Sequence, residues 1–210
     1  MQTQTIRRMI TDAVNHEANT GTLSGLVAQF AQSQGLQPSA ADIAGVVKLI
    51  QEYVEHAPAF LEAAATAAEQ AGITGQVMPI LEVAEQYFLS PVDVIPDHLG
   101  LVGLMDDAYL VHCLIQGISE LYQQQTGNPL LPIDTTALNR FMRGLIGEPG
   151  ASVLDTAVAG TLGMPNIQQA LQQLVTNYGP TMSMEGPDPI WGNASIDEIV
   201  DARLGAMGVV

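Results

Sequence analysis

From residue 49 to residue 139 the chain carries no lysine or arginine over 91 positions, yet it holds twelve carboxylates there. A fold built on this stretch has to place its acids without neighbouring cations. Four of them, Asp93, Asp97, Asp106 and Asp107, fall within 15 residues of the apolar segment SPVDVIPDHLGLVGLMDD. A carboxylate removed from water is costly unless it is hydrogen-bonded, paired, protonated or bound to a metal. Four solutions are chemically open for this segment: backbone amides at helix starts, a divalent cation, a shared proton, or an arginine brought in from elsewhere.

The rest of the composition favours helices. Apolar residues make up 47% of the chain but aromatics only 5%, so the core is drawn from Ala, Leu, Val, Ile and Met, which suits close-packed helices better than an aromatic-rich sandwich. Apolar positions recur at helical spacing nearly throughout, with Pro and Gly between the periodic runs. The predicted architecture is all-α, a multi-helix bundle around a buried helix. Residues 1–179 are expected to form one helical domain. Residues 180–210, rich in Pro, Gly and Met and containing Trp191, are expected to form a strap and a short C-terminal helix.

The spacing predicts helices over about Gln4–Ala18 and Leu23–Gln32, then one from a Ser39/Asp42 capping box to Glu55. Further helices are predicted over Ala57–Ala71, Val77–Leu89, Leu104–Gln125, Thr135–Ile146, Ala151–Leu162 and Asn166–Tyr178. The helix at Leu104–Gln125 is apolar around most of its circumference and is expected to be the core helix.

Charge excludes one class of partner. The formal net charge is −16, with six cationic residues in all, too few for the basic stripe that nucleic-acid binding requires. The single cysteine, Cys113, allows no internal disulfide and reads as a small core residue. No segment approaches the roughly 20 uninterrupted apolar residues of a spanning helix, and a cytoplasmic location is the expectation.

Each signature aspartate has a helix-start explanation. Ser90, Pro91 and Asp93 fit an N-cap, an N1 proline and an N3 acid; Asp97 follows Pro96 at a turn; Asp106 and Asp107 fall in the first turn of the core helix. However, Asp107 shares a helix face with Val111, Leu114 and Ile118, while Asp106 lies over Leu110 and Cys113, so at least one of the pair should point inward. Clustered carboxylates also supply the hard oxygen ligands that Mg²⁺ or Ca²⁺ takes, although the spacing matches neither an EF-hand nor a phosphate loop. The candidate metal ligands are therefore Asp93, Asp97, Asp106 and Asp107.

Tyr87, the run Ser90-Pro91-Val92-Asp93-Val94-Ile95-Pro96-Asp97 and the following Gly103-Leu104-Met105-Asp106-Asp107 together resemble the signature of the YkvA-like domain family of unknown function. The resemblance covers roughly residues 77–115. It implies a small helical domain with an Asp-rich core and no established reaction, and some members are membrane-associated. This chain departs from the pattern by long helical extensions on both sides and by His98 beside Asp97.

Other chemistry is thinly represented. Glu52 with His56, and Glu82 with Glu85, have helical spacing, but a di-iron site would repeat Glu-x-x-His. His112 on the apolar helix reads as a hydrogen-bonded core histidine. His98, on a loop beside Asp97, is the better candidate for a base or ligand. There is no nucleophile elbow, no His-Glu-x-x-His and no Gly-rich phosphate loop. The leading expectation is a non-catalytic binding or assembly protein that engages a protein partner or another copy of itself. The alternative is a metal-dependent enzyme of hydrolytic or phosphoryl type, with Asp106, Asp107 and His98 as catalytic groups. A membrane surface is the disfavoured partner, because anionic leaflets repel so acidic a chain.

Overall fold

A computed structural model of the protein describes residues 1–90 and 94–165. Among them all regular structure is helical: α1 (Thr3–Thr20), α2 (Thr22–Ser33), α3 (Ala40–Gln70), α4 (Thr74–Phe88), a 3-10 turn (Asp97–Val102), α5 (Met105–Thr126), α6 (Thr136–Ile146) and α7 (Gly150–Leu162). The predicted helix at Asn166–Tyr178, the strap at 180–210 and Asp93 lie outside the described residues.

The helix starts follow local chemistry. Ser39 Oγ accepts the Asp42 N–H at 3.2 Å, and Asp42 Oδ2 accepts the Ser39 N–H at 2.9 Å, so the capping box opens α3 from both sides. Helix α2 lacks a side-chain cap of its own, because its N-cap is Gly21. The buried Glu17 of α1 supplies one, accepting the N–H groups of Leu23 at 2.8 Å and Ser24 at 3.2 Å.

One expected boundary does not exist. Separate helices were predicted on either side of residue 56, but α3 runs unbroken for 31 residues with Pro58 inside it. Proline removes one helical hydrogen bond and crowds the preceding turn. Here Val54 and Ala57 before it and Phe60, Leu61 and Ala64 after it are all fully buried on one face. Packing on that shared face outweighs the local defect.

Helix α5 packs against α3, α4, α6 and α7, while α1 packs against α3 and the 3-10 turn. Gly117 of α5 makes one of these crossings close: a Cβ there would lie 2.3 Å from Leu162 Cδ1 of α7. A buried polar network also ties three helices. Tyr53 of α3 donates its hydroxyl to Asn139 Oδ1 of α6 at 2.7 Å, and Asn139 Nδ2 donates to Thr135 Oγ1 at 2.9 Å and to Gln116 Oε1 of α5 at 3.2 Å. No described helix is long and apolar enough to cross a membrane.

Candidate functional site around the signature turn

In the segment between α4 and α5, the backbone at Val94 and Ile95 is held by Asp106. Asp106, in the first turn of α5, is 0% exposed. Its Oδ2 accepts the Val94 N–H at 3.1 Å and the Ile95 N–H at 3.0 Å, with the Tyr87 hydroxyl of α4 donating at a longer 3.4 Å. The Val94 N–H is shared with the Tyr87 hydroxyl oxygen, also at 3.4 Å. Of the solutions open in the sequence, Asp106 uses backbone amides. The donors come from the loop ahead of the helix as well as from a helix start.

The other carboxylate oxygen is in a different situation. Asp106 Oδ1 is buried with no hydrogen-bond partner among the described residues. Burial pushes the Asp106 pKa up to about 6, against the opposing pull of the Ile95 N–H, the helix-start amides of Asp106 and Asp107, and the Tyr87 hydroxyl. A proton on the carboxyl would remove the buried negative charge while Oδ2 keeps its donors.

Glycines explain how the loop closes. A Cβ on Gly103 would sit 2.6 Å from the Pro96 carbonyl oxygen and 2.7 Å from Asp97 Cα, so the chain crosses itself where a side chain does not fit. Gly100 has φ of +68° and ψ of −132°, a conformation that residues with a Cβ rarely adopt. A Cβ there would come within 2.6 Å of His16 Cδ2. Gly150, at the start of α7, leaves space for the Val94 Cγ1 methyl, which would be 2.6 Å from a Cβ.

The sequence-derived candidates part company here. Asp106 and Asp107 are both 0% exposed. Asp97 is half-buried and His98 exposed, and both line a surface groove of about 300 Å³ between α1 and the 3-10 turn. Asp12 and His16 of α1 face the same groove. Sequence reasoning missed these two because they lie more than 80 positions before Asp97, and only their i, i+4 spacing marked a common helix face. Among the described residues no three His, Cys, Asp or Glu side chains converge as metal ligands.

His112 is a core histidine, as expected. It is 1% exposed, and its ring centroid lies 3.8 Å from that of Tyr53 and 4.7 Å from that of Phe60. Burial pushes its pKa down to about 3, with nearby His56 adding to the effect and the Tyr53 backbone opposing it, so the ring is neutral at pH 7. Cys113, half-buried one residue on, has its thiol pushed up to about 12, chiefly by burial. It is therefore a poor nucleophile at neutral pH.

Residues 86–113 match the model of a protein family of unknown function (DUF1232). The match spans the loop, the 3-10 turn and the first part of α5. No curated protein and no solved structure matches the chain.

Proposed function

We propose that the chain is a non-catalytic, acidic helical binding or assembly protein, in which Asp106 of a YkvA-like signature acts as an internal strut. The observation that carries this reading is Asp106. A metal-dependent hydrolase needs carboxylate lone pairs aimed into a solvent-open space where substrate and water can enter. Asp106 Oδ2 instead meets two backbone N–H donors, and a cation placed there would face the positive ends of those dipoles. Asp106 and Asp107 are fully buried, and neither lines the groove beside His98. The polypeptide that the signature stabilises is thus presented at the surface for contact, with a protein partner or a second copy of the chain as the occupant.

A second reading, a structural Mg²⁺ or Ca²⁺ site, is favoured by one observation, the buried Asp106 Oδ1, which has no hydrogen-bond partner among the described residues and is next in sequence to the buried Asp107. Ca²⁺ takes six to eight oxygens, and Mg²⁺ demands an octahedron. The third described aspartate, Asp97, lines the groove instead. Thermal melts of the wild type and Asp106→Asn with and without Mg²⁺, Ca²⁺, Mn²⁺ and Zn²⁺ separate the readings. On the strut reading any cation-induced shift is the same in both proteins, because cations act only on the diffuse negative surface. A shift confined to the wild type establishes the cation site and removes the strut reading.

A further inference from the structure

The groove between α1 and the 3-10 turn combines an apolar lining with spread-out acceptors. Met9 of α1 and Leu104, at the foot of α5, contribute apolar lining, and Asp12, His16, Asp97 and His98 contribute polar lining. Its shape is set by close contact, since only glycine at position 100 lets the His16 ring lie against the turn. No lysine or arginine lines the groove, and Arg8, one turn before Asp12 on α1, is not among its lining residues.

These features define the chemistry of an occupant. The acceptors do not converge on a point as metal ligands would, so an ion is poorly matched. They are spaced around a volume of about 300 Å³, at the small end of ligand clefts, which suits one or two side chains of a partner segment. A lysine or arginine carries both halves of what the groove offers. Its aliphatic stem covers apolar surface, its charged head pairs with carboxylates, and a guanidinium also stacks on a flat ring. The −16 net charge of the chain attracts a cationic segment and repels nucleic acid or an anionic leaflet.

Building on the binding-protein reading, we propose that this groove docks an arginine- or lysine-bearing segment of a basic partner protein. The test is fluorescence anisotropy with a labelled peptide alternating arginine and alanine, and its glutamine-for-arginine counterpart, at near-physiological salt. Folding of each variant is checked by circular dichroism. Asp12→Asn/Asp97→Asn removes two groove carboxylates. Glu69→Gln/Glu82→Gln, at exposed positions outside the groove, removes the same charge elsewhere.

The proposal expects the arginine peptide to bind, the glutamine peptide not to bind, the groove pair to weaken binding at least about tenfold, and the control pair to weaken it less than about twofold. Asp12→Asn alone, on an exposed helix face, weakens binding about threefold and serves if the Asp97 substitution unfolds the turn. Equal losses in the groove and control pairs, or no binding by the wild type, overturn the proposal. Such a failure leaves the strut reading standing, because that reading is decided separately by the cation melts.

Discussion

Asp106 and Ile95 are joined across eleven residues of chain by a partly buried hydrogen bond of 3.0 Å, from the Ile95 N–H to the Asp106 carboxylate. The bond turns a costly buried charge into the fastening of the loop that precedes α5. Because burial raises its pKa, the same residue is an acid whose proton is coupled to folding.

The folded-state pKa of Asp106 lies above its unfolded value, raised from 3.8 to about 6. The stability gained from its protonated form is therefore fully present below about pH 4 and is lost as pH rises through about 6. In Asp106→Asn this decline is absent. Urea unfolding at half-unit intervals from pH 4 to 7, compared between the two proteins, measures the difference, which is at most about 3 kcal/mol.

His112 works in the opposite direction. Its folded pKa is lowered from 6.5 to about 3, so its contribution is present above about pH 6.5 and is lost as pH falls toward 3. Between about pH 4 and 6 the two groups partly cancel in the wild type. His112→Phe should unmask the Asp106 slope, with stability falling as pH rises. Asp106→Asn should unmask the His112 slope, with stability falling as pH drops. The sign of the slope in each variant is the check.

Gly103→Ala should destabilise the protein by about 1–3 kcal/mol, since the added methyl meets backbone atoms of Pro96 and Asp97 that cannot swing aside. Its backbone is ordinary, with φ of −67° and ψ of −27°, so the cost is steric. A chemical denaturation midpoint equal to that of the wild type would contradict this packing.

Tyr53→Phe removes one hydroxyl from the network linking α3, α5 and α6 and leaves Asn139 Oδ1 without its 2.7 Å donor. The expected loss is about 1–2 kcal/mol, seen as a fall in Tm of roughly 2–8 °C for a chain of this size.

Helical periodicity made the fold class and most helix positions legible in the sequence, because single faces such as Ile6, Ile10 and Ala13 are buried at regular spacing. The Ser39/Asp42 capping box was legible because its chemistry is local. The break expected near residue 56 is absent because the continuity of α3 depends on packing against helices distant in sequence, which local preference does not state. In the site, it could be inferred from the neighbours of Asp106 and Asp107 on the helix that at least one of the pair points inward, and both do. The amide partners of Asp106 could not be inferred, nor could the placing of Asp12 and His16 opposite Asp97 and His98, which depends on how α1 crosses the turn.

The most direct test of Asp106 as a strut is amide hydrogen exchange at Val94 and Ile95 in the wild type and in Asp106→Ala, referenced to buried α3 amides such as Val54. The account predicts that exchange at Val94 and Ile95 rises at least about fivefold more than at the α3 reference, as expected for loss of a hydrogen bond worth about 1 kcal/mol. Unchanged protection at both amides relative to that reference would contradict it.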